Sequence, residues 1–475
     1  MDVPSYYFLG FAALVALAIN LSSAPQWRRC LLLATNIAFI VTFTHSAAEL
    51  MPFAGLLLLG YAAVKAMERW PHRALFIVFL ITLIFAFCWL KRYSFIPAAL
   101  WLAHPYFLVG MSYVFFRILH LVIDAYQDAL PDRVGLLSYV NYTLNFTALV
   151  SGPIQLYRDY LRTESQEPAV LSASAMGEAL IRIIAGLFKI TIVSPLLYLA
   201  EQRCLQNLPL LAVPFERAFD AALMLAIFPV YIYFNFSGYM DAVIGVARFL
   251  RLELPENFNR PFLSKGFIEF WSRWHMTLSH WIKTYVYSPL LLALMRRFPV
   301  RSLEQWFGVF AYFVAFFLIG VWHGRTPSFI VLGILFGLGV SINKLYQIAM
   351  IGGLGRGPYT RLCENQAYGA LSRGLTFGWF AVASLFFWAT LPQVSHFAKV
   401  LGALELMTTL LMVVVGAAAL LSALEAIETF FGRMQTRLVI WGYVRTAWYS
   451  ALAALSVSAA IALNAPAPHI IYRAF

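Results

Sequence analysis

Charge is scarce in this chain. Of its 475 residues only 12% are Asp, Glu, Lys or Arg, about half the roughly 25% of an ordinary soluble domain, which excludes a protein that faces water on all sides. Cysteine is scarcer still. Cys30, Cys88, Cys204 and Cys363 form no CxxC pair and no Cys/His spacing of a zinc site, which excludes a disulfide framework and a structural zinc. Cys30 and Cys88 fall in or beside apolar runs and read as small buried hydrophobes. Fixed-period repeats and low-complexity tracts are missing, as are the short alternating segments of a membrane strand barrel. The formal net charge of +12 comes from basic residues scattered through loops, so it describes no nucleic-acid partner.

Apolar sequence fills the space that charge leaves. Hydrophobic residues make up 61% of the chain, and uncharged runs recur at Ala74–Leu90, Ala221–Met240, Trp306–Trp322, Gly374–Leu391, Leu406–Leu424 and Thr446–Pro468. Several reach the roughly 17–25 residues that a helix needs to cross a hydrocarbon core. The expected fold class is all-α, a polytopic transmembrane bundle of about eleven to thirteen hydrophobic helices, some re-entrant, around a central funnel. Arg28 and Arg29 sit between the first two runs, and Lys65, Arg69 and Arg73 between the third and fourth. The turn near His45–Glu49 carries no Lys or Arg. That alternation predicts an extracytoplasmic N-terminus, with Met1 to Tyr6 outside. The N-terminal run has no basic leader and reads as a first span.

Three zones follow along one membrane domain, residues 1–475: N-terminal spans over 1–123, a chemical zone over 124–346, and plain C-terminal spans over 347–475. Polar residues crowd the middle zone, among them Asn141, Asn145, Lys189, Asn235, Asp241, His275, His280 and His323. An ionisable group at membrane depth costs roughly 2.5–3.5 kcal/mol on insertion scales, so its default reading is functional. Lys189 is expected to snorkel to an interface, ahead of pairing with a carboxylate, and Asp241 to hold helices together as a hydrogen-bonded acid or to take part in catalysis. Leu254-Pro-Glu-Asn-Phe-Asn-Arg-Pro-Phe262 carries two prolines and two asparagines, which favour a turning segment over a continuous helix. Residues 267–289 are helix-like but too polar to face lipid, so 254–289 is expected to dip into the funnel.

His323 ends an apolar run in Gly320-Val-Trp-His-Gly324, and His275 lies in Phe270-Trp-Ser-Arg-Trp-His-Met-Thr-Leu-Ser279. An imidazole of near-neutral pKa can take a proton from a hydroxyl and return it to a leaving group. The competing reading is a helix-end histidine bonded at the headgroup level. His275 and His280 are five apart and lie on different faces of a helix, so only one is expected to meet His323. Glu269 and Arg273, at i and i+4, are spaced for a structural pair. No metal is expected, because the histidine spacing matches no i, i+4 HExxH-type site.

These residues resemble the membrane-bound O-acyltransferases, and most of all the bacterial branch with teichoic-acid D-alanyltransferase and alginate O-acetyltransferase. The matching elements occur in family order over roughly residues 85–346: Ser151-Gly-Pro-Ile154 with Tyr157-Arg158, Gly186-Leu-Phe-Lys189, Phe234–Asp241, Pro255–Phe262, and the two histidine motifs. The chain departs from the branch at Lys283-Thr-Tyr285 and at Asn235, which replaces a commonly acidic position. The resemblance implies that His323 is the catalytic base and that His275 positions or polarises the acyl carbonyl. It also implies that Asn257, Asn259, Arg273, Trp274, Trp322 and Asp241 shape the substrate site.

The implied reaction moves an acyl group, acetyl first, from a cytoplasmic thioester donor to a hydroxyl of an extracytoplasmic polysaccharide or envelope polymer. The donor is acetyl-CoA or an acyl carrier protein, with no bound cofactor. Implied partners are membrane lipid, a separate extracytoplasmic transferase and, in the D-alanyl alternative, a phosphopantetheine carrier protein. The implied location is a bacterial cytoplasmic (inner) membrane. A lipid or polysaccharide transporter is the alternative of another class, and would more typically show inverted repeats and paired broken helices.

Overall fold

A backbone in hydrocarbon must satisfy its own hydrogen bonds, and this chain does so as helix. The computed structural model describes residues 3, 5–165, 171–435 and 441–463. They group into two compact units. The first draws on 1–190, 236–256 and 452–475, the second on 191–235 and 257–451.

The helices are α1 (Tyr6–Ile19), α2 (Pro25–Val41), α3 (Ala47–Arg69), α4 (Arg73–Leu90), α5 (Met111–Tyr126), α6 (Leu136–Thr143), α7 (Tyr157–Ser165) and α8 (Ala173–Phe188). A π-turn over Lys189–Val193 leads to α9 (Ser194–Asn207), then α10 (Pro214–Phe249). Short helices α11 (Phe267–Trp271), α12 (Met276–Ile282) and α13 (Ser288–Arg297) follow. The last are α14 (Glu304–Trp322), α15 (Pro327–Leu354), α16 (Arg356–Glu364), α17 (Gln366–Ser384), α18 (Leu391–Gln435) and α19 (Trp441–Leu463). Eight helical stretches among the described residues are long and apolar enough to cross a membrane: Ala47–Arg69, Arg73–Leu90, Ala173–Asn207, Pro214–Phe249, Arg301–Trp322, Pro327–Leu354, Gln366–Phe387 and Leu391–Phe430. This is a multi-pass helical membrane protein. The expected span over Thr446–Pro468 coincides with α19 as far as 463; its remainder lies outside the described residues, as do Met1, Asp2 and Pro4.

Two expectations change. Arg28 and Arg29 are not in a loop: Pro25, pre-set for the first helical turn, starts α2 ahead of them. Arg28 is buried and donates to the carbonyls of Thr163 and Arg251. Cys30 is exposed on the outward face of α2, and Cys88 is half-buried on α4, because an outward face of a membrane helix takes apolar side chains as readily as a core does.

In the first unit a buried cation organises a loop. Arg117 of α5, 1% exposed, donates to the carbonyls of Tyr142, Thr143 and Ala148 at 3.3, 3.0 and 2.9 Å. These carbonyls end α6 and open the run to Ser151-Gly-Pro-Ile154. Gly152 is required there, since a Cβ would sit 2.2 Å from Ala148 Cα. Replacing Arg117 by Met would strip three buried carbonyls of a donor, at about 1–3 kcal/mol for the first left unsatisfied. The expected result is a lowered thermal midpoint in detergent, read by intrinsic fluorescence.

In the second unit α14 and α15 touch through glycine. A Cβ on Gly320 would lie 2.2 Å from Gly333 Cα, and one on Gly333 would lie 2.6 Å from the Phe317 carbonyl oxygen. Gly337, four residues on, faces the Phe313 carbonyl at 2.8 Å. Small residues four apart let membrane helices approach backbone to backbone.

Candidate active site

The second unit holds both motif histidines. His323 follows the last residue of α14, its backbone N–H donating to the Gly320 carbonyl at 3.2 Å. Four residues later Pro327 opens α15. The imidazole is 1% exposed. It stands 4.8 Å from the Trp322 ring and meets Phe387 edge-on at 5.0 Å. Gly324 is also necessary, since a Cβ there would collide with the Phe329 ring at 2.1 Å.

His275 lies where residues 267–289 break as a helix. Its backbone is left-handed, φ 45° and ψ 51°, at the N-terminus of α12. Such a conformation costs a non-glycine residue about 1–3 kcal/mol and persists only where the surroundings over-determine it. Here the preceding segment supplies the constraint. Phe258 and Trp274 form an antiparallel bridge, Asn259 N–H donates to the Arg273 carbonyl at 2.9 Å, and Met276 N–H donates to the Asn257 carbonyl at 2.9 Å. The Asn257 side-chain oxygen receives Thr277 N–H at 3.1 Å and the Thr277 hydroxyl at 2.9 Å, and lies 3.3 Å from His275 Nδ1. Asn257, Phe258 and Asn259 therefore form a strap across the histidine turn.

The imidazoles of His275 and His323 lie within electrostatic reach of one another. Aromatic rings join their segments. Trp274 packs 4.9 Å from Phe380, Phe380 stacks 6.3 Å from Phe336, and Phe336 stands 6.4 Å from Phe387, which covers His323. Both His275 and His323 are 1% exposed, so a reacting group between them would be shielded from bulk water.

The other sequence candidates sort as follows. Asn257, Trp274 and Trp322 belong to the histidine surroundings. Arg273 pairs with Glu269 at 2.6 Å, the expected i, i+4 pair, and lines a polar pocket with Arg260, Lys265 and Glu428. Asn259 is exposed and contributes its backbone N–H. His280 is exposed in another pocket beside Lys283 and Tyr287. Phe380 and Phe387 escaped sequence reasoning because they lie beyond residue 346, in a span read as plain, where no local signal separates one aromatic ring from the next.

Asp241 belongs to the first unit. Lys189, for which the sequence favours snorkelling over pairing with a carboxylate, donates to Asp241 Oδ2 at 2.6 Å. Arg182 donates to Asp241 Oδ1 at 3.0 Å and bidentately to Glu256, holding that carboxyl below the usual carboxylate range. Gly186 and Gly238 let α8 and α10 meet there, each Cβ position falling within 2.8 Å of the other's carbonyl oxygen. Asp241→Asn, which removes the charge shared by two cations, is expected to lower stability by about 1–3 kcal/mol; thermal unfolding in detergent checks it.

The sequence also matches known proteins. A family model described as MBOAT, membrane-bound O-acyltransferase family, matches residues 79–350. The chain is 29% identical over 227 residues to a teichoic acid D-alanyltransferase of Bacillus subtilis, covering 48% of this chain and 56% of that protein. It is 28% identical over 249 residues to a probable alginate O-acetylase of Pseudomonas syringae, covering 52% and 45%. A peptidoglycan O-acetyltransferase of Helicobacter pylori is 38% identical over 119 residues, 25% of this chain and 21% of the relative. The chain thus spans about half the length of the first two relatives.

Proposed function

Because the chain belongs to the membrane-bound O-acyltransferase family, we propose that it transfers a small acyl group from a thioester donor to a hydroxyl, in the service of modifying an envelope polymer. The observation that carries this reading is two buried imidazoles within electrostatic reach of each other, His275 and His323, in an aromatic enclosure.

In this reading His323 removes the hydroxyl proton as the oxygen attacks the thioester carbonyl carbon. The new C–O bond forms, the C–S bond breaks, and the proton passes from His323 to the departing sulfur. His275 acts on the acyl carbonyl or its developing oxyanion. The donor is acetyl-CoA or an acyl carrier protein, approached from the cytoplasm. A separate extracytoplasmic transferase carries the acyl group onward, and the membrane is the bacterial inner membrane, with the N-terminus outside. Acetyl is the leading cargo; the D-alanyl reading is kept because two relatives are named for that transfer.

The test is mass analysis of base-labile groups on envelope polysaccharide from wild type and from His323→Ala cells. Lost acetate supports acetyl transfer, and lost D-alanine supports transfer from a carrier protein. Unchanged esters overturn the proposal.

A further inference from the structure

Three hydrogen-bonding groups converge on one atom, the Asn257 side-chain oxygen, and their chemistry fixes where a proton sits. The Thr277 backbone N–H, 3.1 Å away, can only donate, so the Asn257 atom facing it is the carbonyl oxygen and not the amide nitrogen. That oxygen has no hydrogen to give. His275 Nδ1, 3.3 Å from the same oxygen, must therefore be the nitrogen that carries hydrogen. A neutral imidazole carries one, so Nε2 holds the lone pair. Asn257 is 1% exposed, so water does not compete freely for this oxygen.

We infer that Asn257 is the positioning residue that locks His275 as the Nδ1–H tautomer and presents the Nε2 lone pair to the reaction site. The neutral ring then acts on a substrate by accepting a hydrogen. It becomes a donor to the acyl carbonyl only after Nε2 has taken up a proton, which divides its work into two protonation states. The catalytic meaning rests on the acyl-transfer reading above; the tautomer itself does not. The backbone serves the same end. The left-handed turn at His275 and the bridge between Phe258 and Trp274 hold the two segments where Nδ1 reaches the amide oxygen.

The experiment uses the full chain in lipid with isotope-labelled histidine, and reads ring nitrogen and carbon shifts by NMR. His275→Gln identifies which signals belong to His275. The expected wild-type spectrum shows His275 protonated at Nδ1 and bare at Nε2. Asn257→Leu should shift it toward the Nε2–H form, while Asn257→Asp, which keeps an acceptor oxygen, should preserve the tautomer. A wild-type His275 in the Nε2–H form overturns the inference even if the leucine variant fails to fold, and so does a tautomer indifferent to Asn257→Leu. In transfer assays with acetyl-CoA, Asn257→Leu should lower kcat by about tenfold or more, as losses of orienting partners do, with KM for the thioester little changed and rescue by Asp. Should the tautomer respond as expected while wild type shows no transfer, the acyl-transfer reading fails and the tautomer assignment stands.

Discussion

His323→Ala lowers acyl transfer by about 10²–10⁴-fold, the range a positioned general base contributes, while the protein still inserts and elutes as a folded species. The expectation follows from placement. The ring is 1% exposed and bounded by Trp322 and Phe387, neither of which can serve as a base in its place. Alanine also leaves a cavity, which would lower stability for reasons unrelated to proton transfer. His323→Gln separates the two effects. It keeps most of the volume and a hydrogen-bonding end but cannot serve as a base near neutral pH. Both variants should be inactive, and glutamine should retain more of the wild-type thermal midpoint. An active glutamine variant would remove the base assignment.

Gly320→Ala is expected to reduce transfer about 10²-fold, although it adds only one methyl group and removes no titrating atom. The new Cβ would stand 2.2 Å from Gly333 Cα and 2.3 Å from its nitrogen. Those are backbone atoms of α15 that no rotamer change can move aside. The helices must part, and His323, three residues on, moves with α14. A misplacement of about 1 Å in reacting groups can cost 10²-fold in rate, while overpacking itself costs about 1–3 kcal/mol. Gly352→Ala on α15 is the control, because nothing lies within 4 Å of its Cβ position; it should leave both transfer and the thermal midpoint unchanged. Equal activity of the two variants would show that the α14–α15 contact does not set the position of His323.

Much of this was legible in the sequence, for identifiable reasons. Long apolar runs dictate helix wherever water is absent, so the class and the positions of α4 and α14 could be read directly. The pairing of Glu269 with Arg273 followed from helical spacing alone. Pro255, Asn257, Asn259 and Pro261 announced a break, but periodicity could not reveal that the break returns as a strap over Trp274 and His275. Nor could it place His275 in a left-handed turn, because tertiary hydrogen bonds impose that conformation. Asp241 was ambiguous since its partners, Lys189 and Arg182, lie 52 and 59 residues earlier. Phe387 was invisible for the same reason: nothing local marks one phenylalanine of an apolar run as the ring that faces a histidine.

The glycine contact between α14 and α15 also bears on how the protein is made. Only His323–Thr326 separate the two helices, and a loop so short closes at little entropic cost. Pairings of this kind, near in sequence, form ahead of those that must gather distant segments. His323 therefore sits at the tip of a helical hairpin that can assemble as soon as residue 354 has been synthesised. The strap over His275 precedes it in the chain, whereas the rings of Phe380 and Phe387 come later. Biogenesis would thus complete the enclosure last, when α17 docks and closes over a histidine pair already held by its own local turns.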